Sequence, residues 1–450
     1  MGKELLFKVF RHEKVDRPPW VPFAGVHAGK LKGYNAEEVL KDPDKLFASL
    51  LEVNKYYQPD GQPVLFDLQV EAEILGCDLR WDKVSPPTVS SHPLALEKSI
   101  PCDCLIPQKT DGRLPIILDV MQRMKKAVGE TTALYGLVTG PFTLASHLRG
   151  TEIFMDMYDD EEYVKNLIGF CVKVAKAMTD HYIEAGMDVI SYVDPLVSQI
   201  SPDHFETFLS KPYTELFGYC KEKQAFSSFF VCGDATKNIE VMCKTKPDCI
   251  SIDENIDIAK AKQITDRYNI VIGGNIQLTI TMLHGTQQDN MKAVVDIIDS
   301  CGIDNLVISP GCDMPYDTPI ENTIACSQAV RDYENTKKAL ENYTAQDFSQ
   351  IEVDIPDYKS LTKPLVELFT LDSATCAACS YMMYVCDEVK NEHAELFDFV
   401  EYKFTIKENI ARCIKMGVNN LPSLYINGEL KYSSIIPSKK ELLEEIKKYV

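Results

Sequence analysis

Two cysteine pairs have the residue types and spacing for chemistry. Cys232 ends the apolar run Phe226-Ser-Ser-Phe-Phe-Val-Cys232, and Cys312 follows the run Leu306-Val-Ile-Ser-Pro-Gly311. Thiolate is a favoured soft ligand, so two thiols at one place point to a Zn2+ site. A substrate thiol bound there would ionise near neutral pH and become a strong nucleophile. The second pair is Cys376-Ala-Ala-Cys379. It lies between a predicted strand and a predicted helix, where a helix N-terminus stabilises the thiolate of Cys376. No second Cys-x-x-Cys follows, so a redox dithiol is favoured over a structural zinc ribbon. Most of the fifteen cysteines, including Cys171, Cys220 and Cys249, lie in apolar runs and read as small buried hydrophobes.

These residues need elements to position them. Eight short apolar runs end in a polar or glycine signal: Trp20–Gly25, Pro63–Asp67, Ala133–Gly140, Val189–Asp194, Phe226–Cys232, Cys249–Asp253, Ile270–Asn275 and Leu306–Gly311. Such runs suit strands buried on both faces of a parallel sheet. Helical patterns lie between most of them, over Glu161–Gly186, Pro202–Lys223, Ile256–Tyr268 and Gln288–Cys301. Strand and helix alternating eight times predict a (β/α)8 TIM barrel. A doubly wound sheet would carry Gly-x-Gly-x-x-Gly after its first strand, and none is there. Barrel enzymes place reacting groups at the carboxyl ends of their strands. Here those ends carry His27, Asp67, Gly140, Asp194, Cys232, Asp253, Asn275 and Cys312. The stretch between the second and third runs is long. It holds a loop or hairpin around Val84–Ser91 and a helix over Leu114–Val128.

After Glu334 the pattern changes to a polar terminal helix and a linker ending in Asp-Ile-Pro-Asp and Thr-Lys-Pro. A second α/β unit follows: strand Leu365–Leu371, the Cys-x-x-Cys, helix Tyr381–Glu392, strand Phe397–Phe404 and helix Ile406–Met416. An Asn427-Gly428 hairpin and a charged helix over Ser438–Tyr449 close it. The expected divisions are residues 1–345, a linker over 346–363, and 364–450. The order of the last unit resembles a thioredoxin-like fold. That resemblance implies a cis-proline at Leu421-Pro422 facing the dithiol, with Cys376 and Cys379 reactive and Pro422 beside them.

The span from about Phe7 to Tyr333 resembles the uroporphyrinogen decarboxylase superfamily, and within it the methylcobamide:coenzyme M and related corrinoid methyltransferases. The segments that carry this are Phe66-Asp-Leu-Gln-Val-Glu-Ala-Glu-Ile-Leu-Gly-Cys77, Gly140-Pro-Phe-Thr-Leu-Ala, Val193-Asp-Pro-Leu-Val-Ser-Gln-Ile-Ser-Pro202, Val231-Cys-Gly-Asp234, Gly274-Asn-Ile276 and Ser309-Pro-Gly-Cys-Asp-Met-Pro315. The resemblance implies transfer of a methyl group from a methylcobalamin-type corrinoid, carried by a separate corrinoid protein, to a small thiol or other nucleophile. It implies zinc held by a His-x-Cys pair and a later Pro-Gly-Cys. Cys232 and Cys312 match the cysteines, but the His position holds Phe230. Asp234, Glu73, Asp253 and His27 are candidate substitutes, with Cys232, Cys312, Asp234 and Glu73 as the expected metal set. A pocket without metal stands as the alternative. Asp194 and Asp253 are expected to position corrinoid or acceptor, His27 to act as acid or base, and Asp67, Gly140 and Asn275 to line the cofactor site. The dithiol of the second unit would keep Cys232 and Cys312 reduced, provided their Cα atoms lie within about 7 Å, or would itself accept the methyl group or deliver a metal or thiol to the barrel, or would serve another protein.

Composition narrows the field. A net charge of −20 disfavours a nucleic-acid partner, because phosphate neutralisation needs clustered Lys and Arg. No apolar run reaches the roughly 20 residues that span a bilayer, and the N-terminus lacks a signal-peptide core, so a cytoplasmic protein is expected. Decarboxylases of the superfamily resemble one another in an Arg-rich segment after the first strand, suited to an octacarboxylate substrate. Here that segment reads Phe23-Ala-Gly-Val-His-Ala-Gly-Lys-Leu-Lys-Gly33, without Arg. Decarboxylation is therefore disfavoured. A non-catalytic corrinoid- or metal-binding protein with thiol-redox function is the remaining alternative. The sequence leaves the oligomeric state open.

Overall fold

Six of the eight expected runs form strands, and a seventh strand, Gly61–Pro63, ends where the expected run Pro63–Asp67 begins. β1 (Gly61–Pro63), β2 (Ala133–Thr139), β3 (Val189–Val193), β4 (Phe226–Val231), β5 (Cys249–Ile252), β6 (Val271–Ile276) and β7 (Leu306–Pro310) make one parallel sheet in chain order. Every residue of β2, β3, β5, β6 and β7 is buried, as strands covered on both faces must be. The computed structural model describes residues 2–373 and 377–450, without the side chains of residues 377 and 378. These form two compact units that divide between Ala345 and Gln346.

The run Trp20–Gly25 makes a single parallel bridge, Trp20 to Ile308, in place of a strand. Pro18, Pro19 and Pro22 lack the N–H groups that a longer ladder requires. Val21 N nevertheless donates to Ile308 O at 2.9 Å, and Asp60 N donates to Trp20 O at 2.9 Å. The sheet thus curls until this segment links β7 to the residue before β1.

Strand periodicity sends alternate side chains inward. Tyr135 and Leu137 of β2, Val189 and Val193 of β3, Phe226 and Phe230 of β4, Val271 and Val307 meet in one cluster with Phe23 and Phe66. The amino-terminal helix Gly2–Phe10 adds Leu6, Val9 and Phe10 to it. Phe7 and Phe10 each lie 5.1 Å from the Phe226 ring. The long insertion forms a hairpin, Leu79–Arg80 with Thr88–Val89, and the helix Leu114–Val128. The single helix expected over 202–223 is two, Pro202–Phe208 and Ser210–Glu222. Pro212 cannot donate to the carbonyl four residues back, which breaks the ladder there.

In the second unit, β8 (Leu365–Thr370), β9 (Asp398–Lys403), β10 (Ser423–Ile426) and β11 (Glu429–Ser433) run in the order β9-β8-β10-β11. β8 and β9 are parallel, and the other pairs antiparallel. Asn427 and Gly428 turn between β10 and β11 with φ of 49° and 77°, a conformation that suits this residue pair. The helices are Ala377–Glu392, Lys407–Met416 and Lys439–Ile446. Residues 346–363, expected as a linker, pack on this unit. Arg412 Nη1 donates to Asp354 O at 2.7 Å, and Tyr358 OH donates to buried Glu367 at 2.7 Å. Among the described residues no helix is long and apolar enough to cross a membrane.

Candidate active site at the carboxyl ends of the strands

Cys232 directly follows β4, and Cys312 follows β7 after one glycine. Their Cα atoms are 6.1 Å apart, and the sulfurs are joined as a disulfide. Both residues are partly exposed and pack over the inner apolar cluster. Phe230 lies two residues before Cys232 on the same strand face and is fully buried. Its ring centroid is 4.8 Å from that of Phe23 and 5.8 Å from that of Phe66. Gly311 is required by a close approach. A Cβ there would fall 2.5 Å from Glu254 N.

Most of the polar groups at the strand ends are engaged within the protein. Asp194 accepts from Phe142 N and Thr143 N at 3.0 Å, from Thr143 Oγ1 at 2.6 Å and from Tyr213 OH at 2.5 Å. It thereby caps the helix Pro141–Arg149. Burial still raises its pKa, opposed by those donors. Gly140 makes room for it, since a Cβ there would meet the Asp194 side chain at 2.3 Å. Asp253 accepts from Gly233 N at 2.7 Å and from Asn255 Nδ2 at 2.6 Å, and burial raises its pKa as well. Asn275 donates to Asp253 O at 2.9 Å and to Ile256 O at 2.7 Å, fixing the loop after β5. Asp234 accepts from Thr236 Oγ1 at 2.6 Å and closes a local turn.

Asp67 and Glu73 share one cation. Arg113 Nη1 donates to Asp67 at 2.6 Å, and Arg113 Nε donates to Glu73 at 2.7 Å. Sequence reasoning missed Arg113, which sits just before the insertion helix, far in the chain from any strand end. His27 is buried with both ring nitrogens engaged. Nδ1 lies 2.9 Å from Tyr316 O, and Nε2 lies 2.6 Å from Tyr57 OH. A carbonyl only accepts, so Nδ1 carries the proton and Tyr57 donates to Nε2. Burial lowers its pKa to about 4, keeping it neutral. Glu254 was also missed, although it directly follows Asp253. Burial and the neighbouring Asp253 push its carboxyl up to about 8, against a bond from Leu278 N.

The expected metal set does not come together. The two thiols are bonded to each other, Phe230 fills the third position, and Asp234 and Glu73 are engaged elsewhere. Among the described residues no three His, Cys, Asp or Glu side chains are grouped to hold a metal ion. The residues present do not fit a zinc ion of the expected kind. In the second unit, buried Cys379 Sγ accepts from Leu371 N at 3.4 Å, and Pro422 follows a cis peptide bond. Cys376 lies outside the described residues.

Residues 1–333 match the family model described as uroporphyrinogen decarboxylase. The chain belongs to the uroporphyrinogen decarboxylase family. Within this family it is similar to a methylcobamide:CoM methyltransferase MtbA of Methanosarcina acetivorans, at 28% identity over 74% of this chain and 98% of that protein. It is also similar to a uroporphyrinogen decarboxylase of Trichodesmium erythraeum, at 26% identity over 70% of this chain and 92% of that protein. Among solved structures, a methyltransferase from Methanosarcina mazei shares the fold. Its TM-score is 0.67 at 22% identity, covering 74% of this chain and 99% of that one.

Proposed function

We propose that the chain is a methyltransferase that takes a methyl group from a methylated corrinoid, held by a separate corrinoid protein, and passes it to a small thiol. The observation that carries this is the pairing of Cys232 with Cys312 at the strand ends, in a chain that aligns with 98% of a methylcobamide:CoM methyltransferase. Decarboxylases of the family align over nearly as much, so alignment length does not choose between them. The segment Phe23–Gly33 argues for transfer. It contains no Arg, and its two lysines pair with Asp317 and Glu52. No cation of that segment is left over for a polycarboxylate substrate.

We read the first unit as a (β/α)8 barrel, closed where Trp20 bridges Ile308. The second unit reads as a thioredoxin-like domain, supported by its strand order and by Pro422. The acceptor must react as a thiolate. The Glu254 backbone packs against Gly311, next to Cys312, while its carboxyl accepts from Leu278 N. Asp194, Asp253 and Asn275 hold the surrounding loops, and His27 is a neutral anchor. The test is methyl transfer from methylcobalamin to small thiols by the reduced protein, followed by cobalamin absorbance and thioether formation. Transfer to at least one thiol is expected. No transfer to any thiol, with carbon dioxide released from uroporphyrinogen, would place the chain with the decarboxylases.

A further inference from the structure

We infer that Cys232 and Cys312 form a reversible thiol–disulfide exchange site whose reaction partners are small thiols and small disulfides. The inference does not depend on methyl transfer. Their Cα separation of 6.1 Å lies within the range that a disulfide spans. The cysteines follow β4 and β7, which are separated in the sheet by β5 and β6, so the bond crosses the opening. Among the described residues, the expected co-ligands are engaged elsewhere. Phe230 is packed between Phe23 and Phe66, and Asp234 and Glu73 bond to Thr236 and Arg113.

Access separates this pair from the cysteines of the core. Cys232 and Cys312 are partly exposed, whereas Cys171, Cys220, Cys249 and Cys326 are buried and their thiols are held protonated by burial. Exchange needs a thiolate and an approach path, and the core thiols have neither. In oxidation, one cysteine thiolate attacks a small disulfide RS–SR and expels RS⁻, leaving a mixed disulfide. The second cysteine attacks that bond, expels the second RS⁻ and closes Cys232–Cys312. Two electrons pass to the small disulfide, and the two cysteine protons end on the released thiols. Reduction is the reverse, with two RSH oxidised to RS–SR.

The test equilibrates the native full-length protein in buffers of reduced and oxidised dithiothreitol. Acid quenching, differential alkylation and mass spectrometry then read each cysteine. Cys232 and Cys312 are expected to convert together, linked to each other. Their dithiol-to-disulfide ratio should change tenfold for each tenfold change in the buffer ratio. Cys171 and Cys326 should stay thiols throughout. In Cys232→Ser, Cys312 should remain alkylatable under every buffer. If that variant fails to fold, the native protein alone decides. Thiols at 232 and 312 that never pair, that pair with other cysteines, or that stay bonded in excess reduced dithiothreitol would overturn the inference.

Discussion

Phe230 stands on β4 two residues before Cys232, fully buried against Phe23 and Phe66. An imidazole at that position would face the two sulfurs from the same strand face. We predict that reduced wild-type protein holds far less than one zinc per chain, and that Phe230→His raises this to roughly one, as a three-ligand set allows. Metal analysis after gel filtration checks it, and equal zinc in both proteins would contradict it. His27 supports a second prediction. Its folded pKa is about 4 against an ordinary 6.5. Between those values the unfolded chain binds a proton that the folded chain does not. Stability is therefore fully present above about 6.5 and is lost as pH falls towards 4, by about 3 kcal/mol in all. Unfolding free energies from urea titrations between pH 7 and 4.5 should fall for the wild type, and fall by about 2 kcal/mol less for His27→Gln. Equal losses would contradict it. The two thiols were legible in the sequence from residue type and their place at strand ends, and the missing ligand at Phe230 from the resemblance to a family with a His-x-Cys pair. The ties of His27 to Tyr57 and of Asp67 to Arg113 were not, because they join residues distant in the chain.

The elements were largely legible, since buried parallel strands are marked by continuous apolar runs and the helices by their periodicity. The departures have local causes. Three prolines reduce the run after Arg17 to one bridge, and Pro212 divides a helix that otherwise reads as continuous. Residues 346–363 look like a linker because they are polar and proline-marked, yet Tyr358 reaches Glu367 inside the second unit. Glu367 is fully buried and also accepts from Arg412 Nη2 at 2.6 Å. Tyr358→Phe removes one donor from a buried carboxylate, at a cost of about 1–3 kcal/mol. The variant's second unit should unfold at lower denaturant and its 346–363 segment should be cut faster by protease. Unchanged unfolding would show that this segment adds nothing to the unit.

For the whole molecule, a curled parallel sheet brings residues from eight chain segments to one end, and a second α/β unit with its own core follows. The charge of −20 suits solubility and a partner that is not nucleic acid. We propose a methyl-transferring relative of the uroporphyrinogen decarboxylase family that works without the zinc expected of its resemblance. The most direct test is methyl transfer from methylcobalamin to a small thiol by reduced, chelator-treated protein, with metal content measured on the same sample. Undiminished transfer at well below one metal ion per chain is expected. Transfer that disappears with the metal and returns on adding zinc would contradict it.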